Sequence, residues 1–497
     1  MSTIQTREEK IQEKRQHTDW RDFVKDIASW FPVVFHKNNG YMSRYPESGR
    51  VKNISSNKDF DAIRNNMDEY GVDYDPTIWF FEQFQHLMQS IPLGATIRQM
   101  AGENTDYADS IVASSNAYLS SVLVNDCSDV LYSFIIFDYC KTIVDSFWVW
   151  SHSEDIYHST GITKSSNIFY SRYIANSSNI WFSSNLIGCH NCIQCSWLEN
   201  MSYCIENVQY SKEEYKSKKE EILQDKSRFE WFAEQLPITS NNYGSTHITG
   251  NHITMSTDIE NGYFINRVQN GRNIICVGWD NQEKNYRDVF DSWVTSSDVY
   301  AVEGAGYLSN NLYCCTQVEK SSHIFYSYYL ANCSYCLGCI GLQNKQFCIF
   351  NKQYSKEDRH TKVDEIFAQM EKKWTLGEFF PGWMNPFYFN DTAASLIEDF
   401  DKEDIQQAGY MRCDEEIKVD IPDRMDVVAV DDLSDYEWFD DDGNREIDPS
   451  ILKKVIRDEK GNIYRIIKME YDFLMKYELP LPRKHWLERL RWHFRMK

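Results

Sequence analysis

The chain has 497 residues, 42% hydrophobic and 25% charged, a balance that excludes wholesale disorder and leaves room for about two to four domains. A formal charge of −22 argues against nucleic-acid binding over the whole surface, and no apolar run is long enough to cross a membrane as a helix. Aromatics reach 15%, a high load of flat, half-polar side chains suited to sheet faces and interfaces.

Residues 1–103 read as a mixed, mainly helical segment. Its start is dense in charge (Arg7, Glu8, Glu9, Lys10) and lacks the apolar stretch of a signal peptide, so a cytoplasmic protein with reduced cysteines is expected. Pro76 to Ser90 predicts an amphipathic helix that turns Trp79, Phe80, Phe84, Leu87 and Met88 inward.

From about residue 104 a short repeat takes over. Val130, Ile143, Ile156, Ile168, Ile180, Cys192 and Cys204 recur at spacings of 13, 13, 12, 12, 12 and 12. Three residues after each comes a small or polar residue (Ser133, Ser146, Ser159, Ser171, Ser183, Cys195, Asn207). Three further on comes a mostly apolar column (Ile136, Val149, Ile162, Ile174, Leu186, Leu198, Tyr210). β-Branched residues in register at a fixed short period mark stacked coils, each burying the apolar row of the next. Asn167, Asn179 and Asn191, just before the inward Ile and Cys positions, suit corners.

The beat returns at Val299, Leu312, Ile324, Cys336 and Cys348. Ser165–Asn176 matches Ser321–Asn332 at 9 of 12 positions, and Cys189–Glu213 matches Cys333–Glu357 at 13 of 25. The fold expected is mainly β: a duplicated β-solenoid with a repeat of about 12 residues, helical caps and small α+β terminal segments. The blocks are placed at 104–210 and 241–354, with capping helices at 211–240 and 355–380. Ser211 and Ser355 head those helices in capping-box positions. Residues 381–450 form an acidic segment; 391–450 hold 21 Asp/Glu against 5 Lys/Arg. Residues 451–497 reverse the balance with 13 Lys/Arg against 6 Asp/Glu, and predict a hairpin at Glu459–Asn462 followed by helices on either side of Leu479–Pro482.

The chain resembles a large uncharacterised family of Cys-rich β-solenoid proteins of ultra-small candidate-phyla bacteria. The resemblance rests on Asp73–Pro76 leading to Phe80–Phe84, on Asn344–Glu357, on Gly377–Pro381 and on Leu479–Arg483. It implies zinc ribbons before and after the solenoid. The first hundred residues and the segment after Cys413 contain no cysteine, so both ribbons are expected to be metal-free here, and 451–497 reads as a degenerate, ribbon-like basic segment.

Cys189, Cys192, Cys195 and Cys204 repeat as Cys333, Cys336, Cys339 and Cys348. Zinc or an iron–sulfur cluster is one reading of this spacing; packing on inward columns is the other and is preferred, because the coil period already explains it. No metal or cofactor is therefore expected. His152, Asp155 and His158 lie near one coil edge; polysaccharide cleavage is one reading of them and surface histidines the preferred one, while Asp440–Asn444 reads as a solvated acidic loop. Phe169, Tyr170 and Tyr173, echoed by Phe325, Tyr326, Tyr328 and Tyr329, fall off the inward columns. They form a candidate interaction surface, open as a ladder or buried between blocks or between copies. In the tail, Arg483, Lys484, Trp486, Arg489, Arg491, Trp492 and Arg495 mix cations with aromatics, which fits docking of the tail on protein or, second, contact with RNA. The functional expectation is a non-enzymatic scaffold or binding protein that self-associates through its solenoid faces. An RNA- or ribosome-associated factor is the alternative, and a glycan-binding or glycan-cleaving β-helix comes third.

Overall fold

A coil of this protein has four sides of three residues, and each corner is taken by a residue in the left-handed region. Asn167, Tyr170, Tyr173, Asn176, Asn179 and Phe182 follow one another at every third position with φ between 49° and 58°. Asn tolerates that region; Tyr and Phe do so only under constraint. The constraint is the ladder between coils, as in Tyr170 N to Tyr157 O at 3.0 Å and Phe182 N to Phe169 O at 3.1 Å.

The computed structural model describes residues 6–225, 229, 289–413 and 426–494, apart from positions 16–17, 39, 48, 295–296 and 306–308. The chain forms two compact units, one of Met1–Ile97 with Thr239–Cys413 and one of Arg98–Ile238 with Asp414–Lys497. The second solenoid block thus shares a unit with the N-terminal segment, and the first block with the C-terminal segment. Parallel pairing in the first block begins at Arg98, which faces Ile111, somewhat before the expected boundary.

The register puts the inward columns where the periodicity placed them. Ile143, Ile156, Ile168, Ile180, Cys192 and Cys204 pair in succession. Val149, Ile162, Ile174, Leu186 and Leu198 do the same on the opposite wall. The small column between them is a continuous hydrogen-bonded thread. Ser171 Oγ donates to Phe169 O at 2.8 Å and accepts from Ser183 N at 3.1 Å, and Ser183 repeats this with Trp181 O and Cys195 N. Serine is therefore chosen for two bonds as well as for size. Tyr210 departs from its expected column, because the chain turns back at Val208–Gln209 and pairs antiparallel with Cys204–Ile205. Lys352–Gln353 make the same return on Cys348–Ile349. Each return strand closes the coil edge that would otherwise be free to template another strand.

Helices follow both returns. Lys212–Gln224 is capped by Ser211 and Glu214 in a reciprocal box, and Lys356–Lys372 by Ser355 with Asp358; the rest of the expected 211–240 cap and residues 241–288 lie outside the described residues, apart from Phe229. In the second-block unit, helix Phe80–Ser90 buries Phe80, Phe84, Leu87 and Met88 while Trp79 stands at its N-cap. In the first-block unit the tail supplies a hairpin pairing Ile456 with Tyr464, then helices Lys468–Lys476 and Trp486–Phe494. Among the described residues no helix is long and apolar enough to cross a membrane.

Candidate functional site

The cysteines occupy two kinds of inward position. Cys192, Cys204, Cys336 and Cys348 stand where other coils have Ile, and Cys189, Cys195, Cys333 and Cys339 stand in the serine threads. There the sulfur takes over the serine's bonds: Cys195 Sγ lies 3.3 Å from Ile193 O and accepts Asn207 N at 3.4 Å. Hydrogen bonds that the Cys336 thiol donates to Cys333, Cys339 and Cys348, followed by burial, push it well above its usual range.

The aromatic candidates are covered, each within its own unit. Phe169 stacks on Trp181 at 4.1 Å and meets Tyr477 of the tail at 4.9 Å; Tyr170 packs against Phe182 and Phe229, both at 5.4 Å. Tyr173 is half-buried over Gly161, where a Cβ would come within 2.7 Å of its ring. In the other unit Tyr326 meets Phe80 at 5.5 Å, Tyr328 bonds the Tyr45 hydroxyl, Tyr329 lies under Arg64 at 4.4 Å and Phe325 meets Phe367 at 5.2 Å. The chain's own flanking segments, rather than open solvent, lie against these faces.

In the tail, Arg483 pairs with Asp431 at 3.0 Å, Arg491 lies 3.8 Å from Glu488, and Lys484 is exposed. Trp486 stacks near Tyr132 at 6.2 Å and Trp492 lies under Arg172 at 3.7 Å, while Arg495 falls outside the described residues. Arg489 is buried, and it leads to the most unusual chemistry of the molecule.

Where the tail meets the first solenoid, a charged cluster is sealed from solvent. Asp145 Oδ2 takes a hydrogen bond from His158 Nδ1 at 2.6 Å and lies 3.5 Å from Arg489, which also reaches Glu470 at 3.2 Å. His493 Nε2 donates to Asp145 O at 2.8 Å, and its Nδ1 accepts from Thr160 Oγ at 2.6 Å, which fixes a neutral tautomer. Burial alone would raise the Asp145 carboxyl, but Arg489 with the two imidazoles more than offsets this and holds it low. Burial raises Glu470 against the pull of Arg489, and burial with neighbouring His158 keeps His493 well below the usual imidazole range. Arg489 thus gives both buried carboxyl groups, Asp145 and Glu470, a partner in the apolar surroundings.

Asp145, His158 and His493 are the one group with metal-ligand spacing among the described residues. They do not fit a cation. The carboxylate already faces a guanidinium, and both His493 nitrogens hold protein partners. Nor is His158 the surface histidine expected from sequence: it is buried, whereas His152 is exposed, and Asp155 is capped by Lys476 at 3.1 Å. Asp440 ties its own loop by accepting from Asp442 N and Asn444 N.

Asp145, Thr160, Arg172, Glu470 and His493 were not singled out by sequence reasoning. A signal existed. Asp145 and His158 stand in the same outward column as Tyr132, Tyr170 and Phe182, two charge-bearing residues in an aromatic row. His485, Arg489 and His493 likewise share one helical face at spacings of four.

No protein-family model matches the sequence, and no curated protein is detectably similar to it.

Proposed function

We propose that this chain is a non-enzymatic binding scaffold whose solenoid coils hold protein segments on their outward faces. One observation carries the reading: in both units, aromatic rows of the coils are occupied by helices from distant parts of the chain, Phe169 by the tail and Tyr326 by the helix starting at Phe80. A lateral face of these coils is thus suited to receiving an apolar helix. The sealed Asp145 cluster speaks against catalysis there, since a general acid or base must reach its substrate. RNA contact through the tail has little support when Arg483, Arg489 and Arg491 are engaged with carboxylates. Self-association through the Phe169 and Tyr326 faces is likewise weakened by their cover.

The test is isolation of the native protein under gentle conditions, followed by gel filtration and compositional analysis. A protein partner in stoichiometric amount, or a defined homo-oligomer, is the expected result. Stoichiometric RNA, or release of sugars from a polymer, would replace this reading by one of its competitors.

A further inference from the structure

The last coils of the two blocks are homologous position by position, and the flanks treat them differently. In the second block the coil end is roofed by residues 57–73 of the N-terminal segment. Val72 N bonds Phe350 O at 3.0 Å, Asn351 Nδ2 donates to Met67 O at 3.1 Å, and a Cβ at Gly341 would stand 3.1 Å from Met67. Lys345 pairs with Asp68 at 2.7 Å and Lys352 with Asp73 at 2.6 Å. Under this roof Leu342 and Asn351 are 0% exposed.

The first block has Trp197, Leu198, Asn207 and Val208 at the places of Gly341, Leu342, Asn351 and Lys352. Asn207 makes the same local ring as Asn351, accepting from the backbone amide and donating to the carbonyl of Ser196, as Asn351 does with Ile340. Yet here Trp197 is 52% exposed, Val208 54% and, one coil below, Ile187 47%. The last coils of the first block thus leave three large apolar side chains exposed, where the roof covers their counterparts Gly341 and Lys352 in the second, and such exposure marks a binding site. The charge also differs: Gln343 and Phe350 of the second block are replaced by exposed Glu199 and Glu206, and the pairing Lys352 by Val208.

We propose that the end of the first solenoid binds a short helical segment of a partner protein, apolar on one face and basic at its edges, in the manner in which residues 57–73 roof the second. The helix lays its apolar face over Ile187, Trp197 and Val208. One of its carbonyls accepts from Asn207, as Met67 accepts from Asn351. Its basic residues meet Glu199 and Glu206, where the acidic roof of the second block meets Lys345 and Lys352. This deepens the binding reading above by naming one surface and one partner class.

The probe is a fluorescent peptide of residues 56–74 in which Asp59, Asp61, Asp68 and Glu69 are changed to lysine, titrated into the full chain at low salt. Saturable one-to-one binding is expected. It should weaken at least tenfold with Trp197→Asp and with Trp197→Asn, the latter suited to the left-handed backbone there (φ 58°). Glu199→Lys with Glu206→Lys should weaken it similarly, and the unmodified acidic peptide should bind at least tenfold less tightly. Absence of saturable binding, binding indifferent to Trp197, or equal binding of the acidic peptide would each overturn the proposal. So would light scattering that shows a wild-type dimer split by Trp197→Asn; that outcome would assign the patch to a second copy and leave the scaffold reading standing.

Discussion

Ser171 donates to one carbonyl and accepts one amide, so alanine in its place leaves the Ser183 amide buried without a partner. The expected loss for Ser171→Ala is about 1–3 kcal/mol. Ser171→Cys should cost less, because Cys195 already performs both tasks in the same thread. Equal losses in urea unfolding of the two variants would show that the thread contributes little. Ile168→Asp and Ile324→Asp place an unpaired charge on fully buried columns, and each should cost several kcal/mol and melt its block early by circular dichroism. The inward columns were legible because a side chain recurring every coil leaves a period in the sequence. The corners were legible only at asparagine: Tyr170 and Phe182 carry the same positive φ, and nothing in their side chains announces it.

Within the tail, His485 Nδ1 accepts Leu487 N at 3.2 Å and His493 Nδ1 accepts the Thr160 hydroxyl, so both rings are held neutral. Burial and Arg489 bring His485 down to about 4, and His493 lies well below its ordinary value. Both rings take up a proton near pH ~6.5 once the segment unfolds, so unfolding binds protons below that pH. Stability is full above about pH 6.5 and falls on acidification by about 1.4 kcal/mol per unit for each ring. Glu470, raised by burial, works the other way: its folded form keeps a proton that the unfolded form releases above about pH 4.3. Glu470 thus offsets part of the loss, and between pH ~6.5 and pH ~5 stability should fall by less than the ~4 kcal/mol that the two rings alone would cost. His493→Gln should flatten this slope in urea titrations, and an unchanged slope would remove His493 from the account. The helices themselves were readable from Ser211, Ser355 and the break at Leu479–Pro482. Their docking partners were not, because Asp145 and His493 lie 348 residues apart and share no local pattern.

At the scale of the whole chain, each unit is assembled from two stretches, and the stretch that completes the first-block unit is made last. The aromatic row of Tyr157, Phe169 and Trp181 is complete once residue 181 has emerged, yet Phe473 and Tyr477, which pack on it, follow nearly 300 residues later. At ordinary rates of synthesis that interval is about 15–60 s, during which a face built to be covered stands open. Large apolar rings left in water bind dyes, chaperones and each other. A chain ending at residue 425 should therefore keep its coils, since their ladder and inward columns need nothing from the tail, and should expose the face. The expected signature is retained β-sheet circular dichroism, a several-fold rise in fluorescence of an apolar dye, and concentration-dependent aggregation. Adding Phe169→Glu to the truncated chain should reverse the aggregation, although in the full-length protein the same change should destabilise, because Trp181 and Tyr477 enclose that ring. A truncated chain that stays monomeric and dark to the dye would mean that the coils close over their own aromatics, and that the tail contributes the Asp145 cluster without being a needed cover.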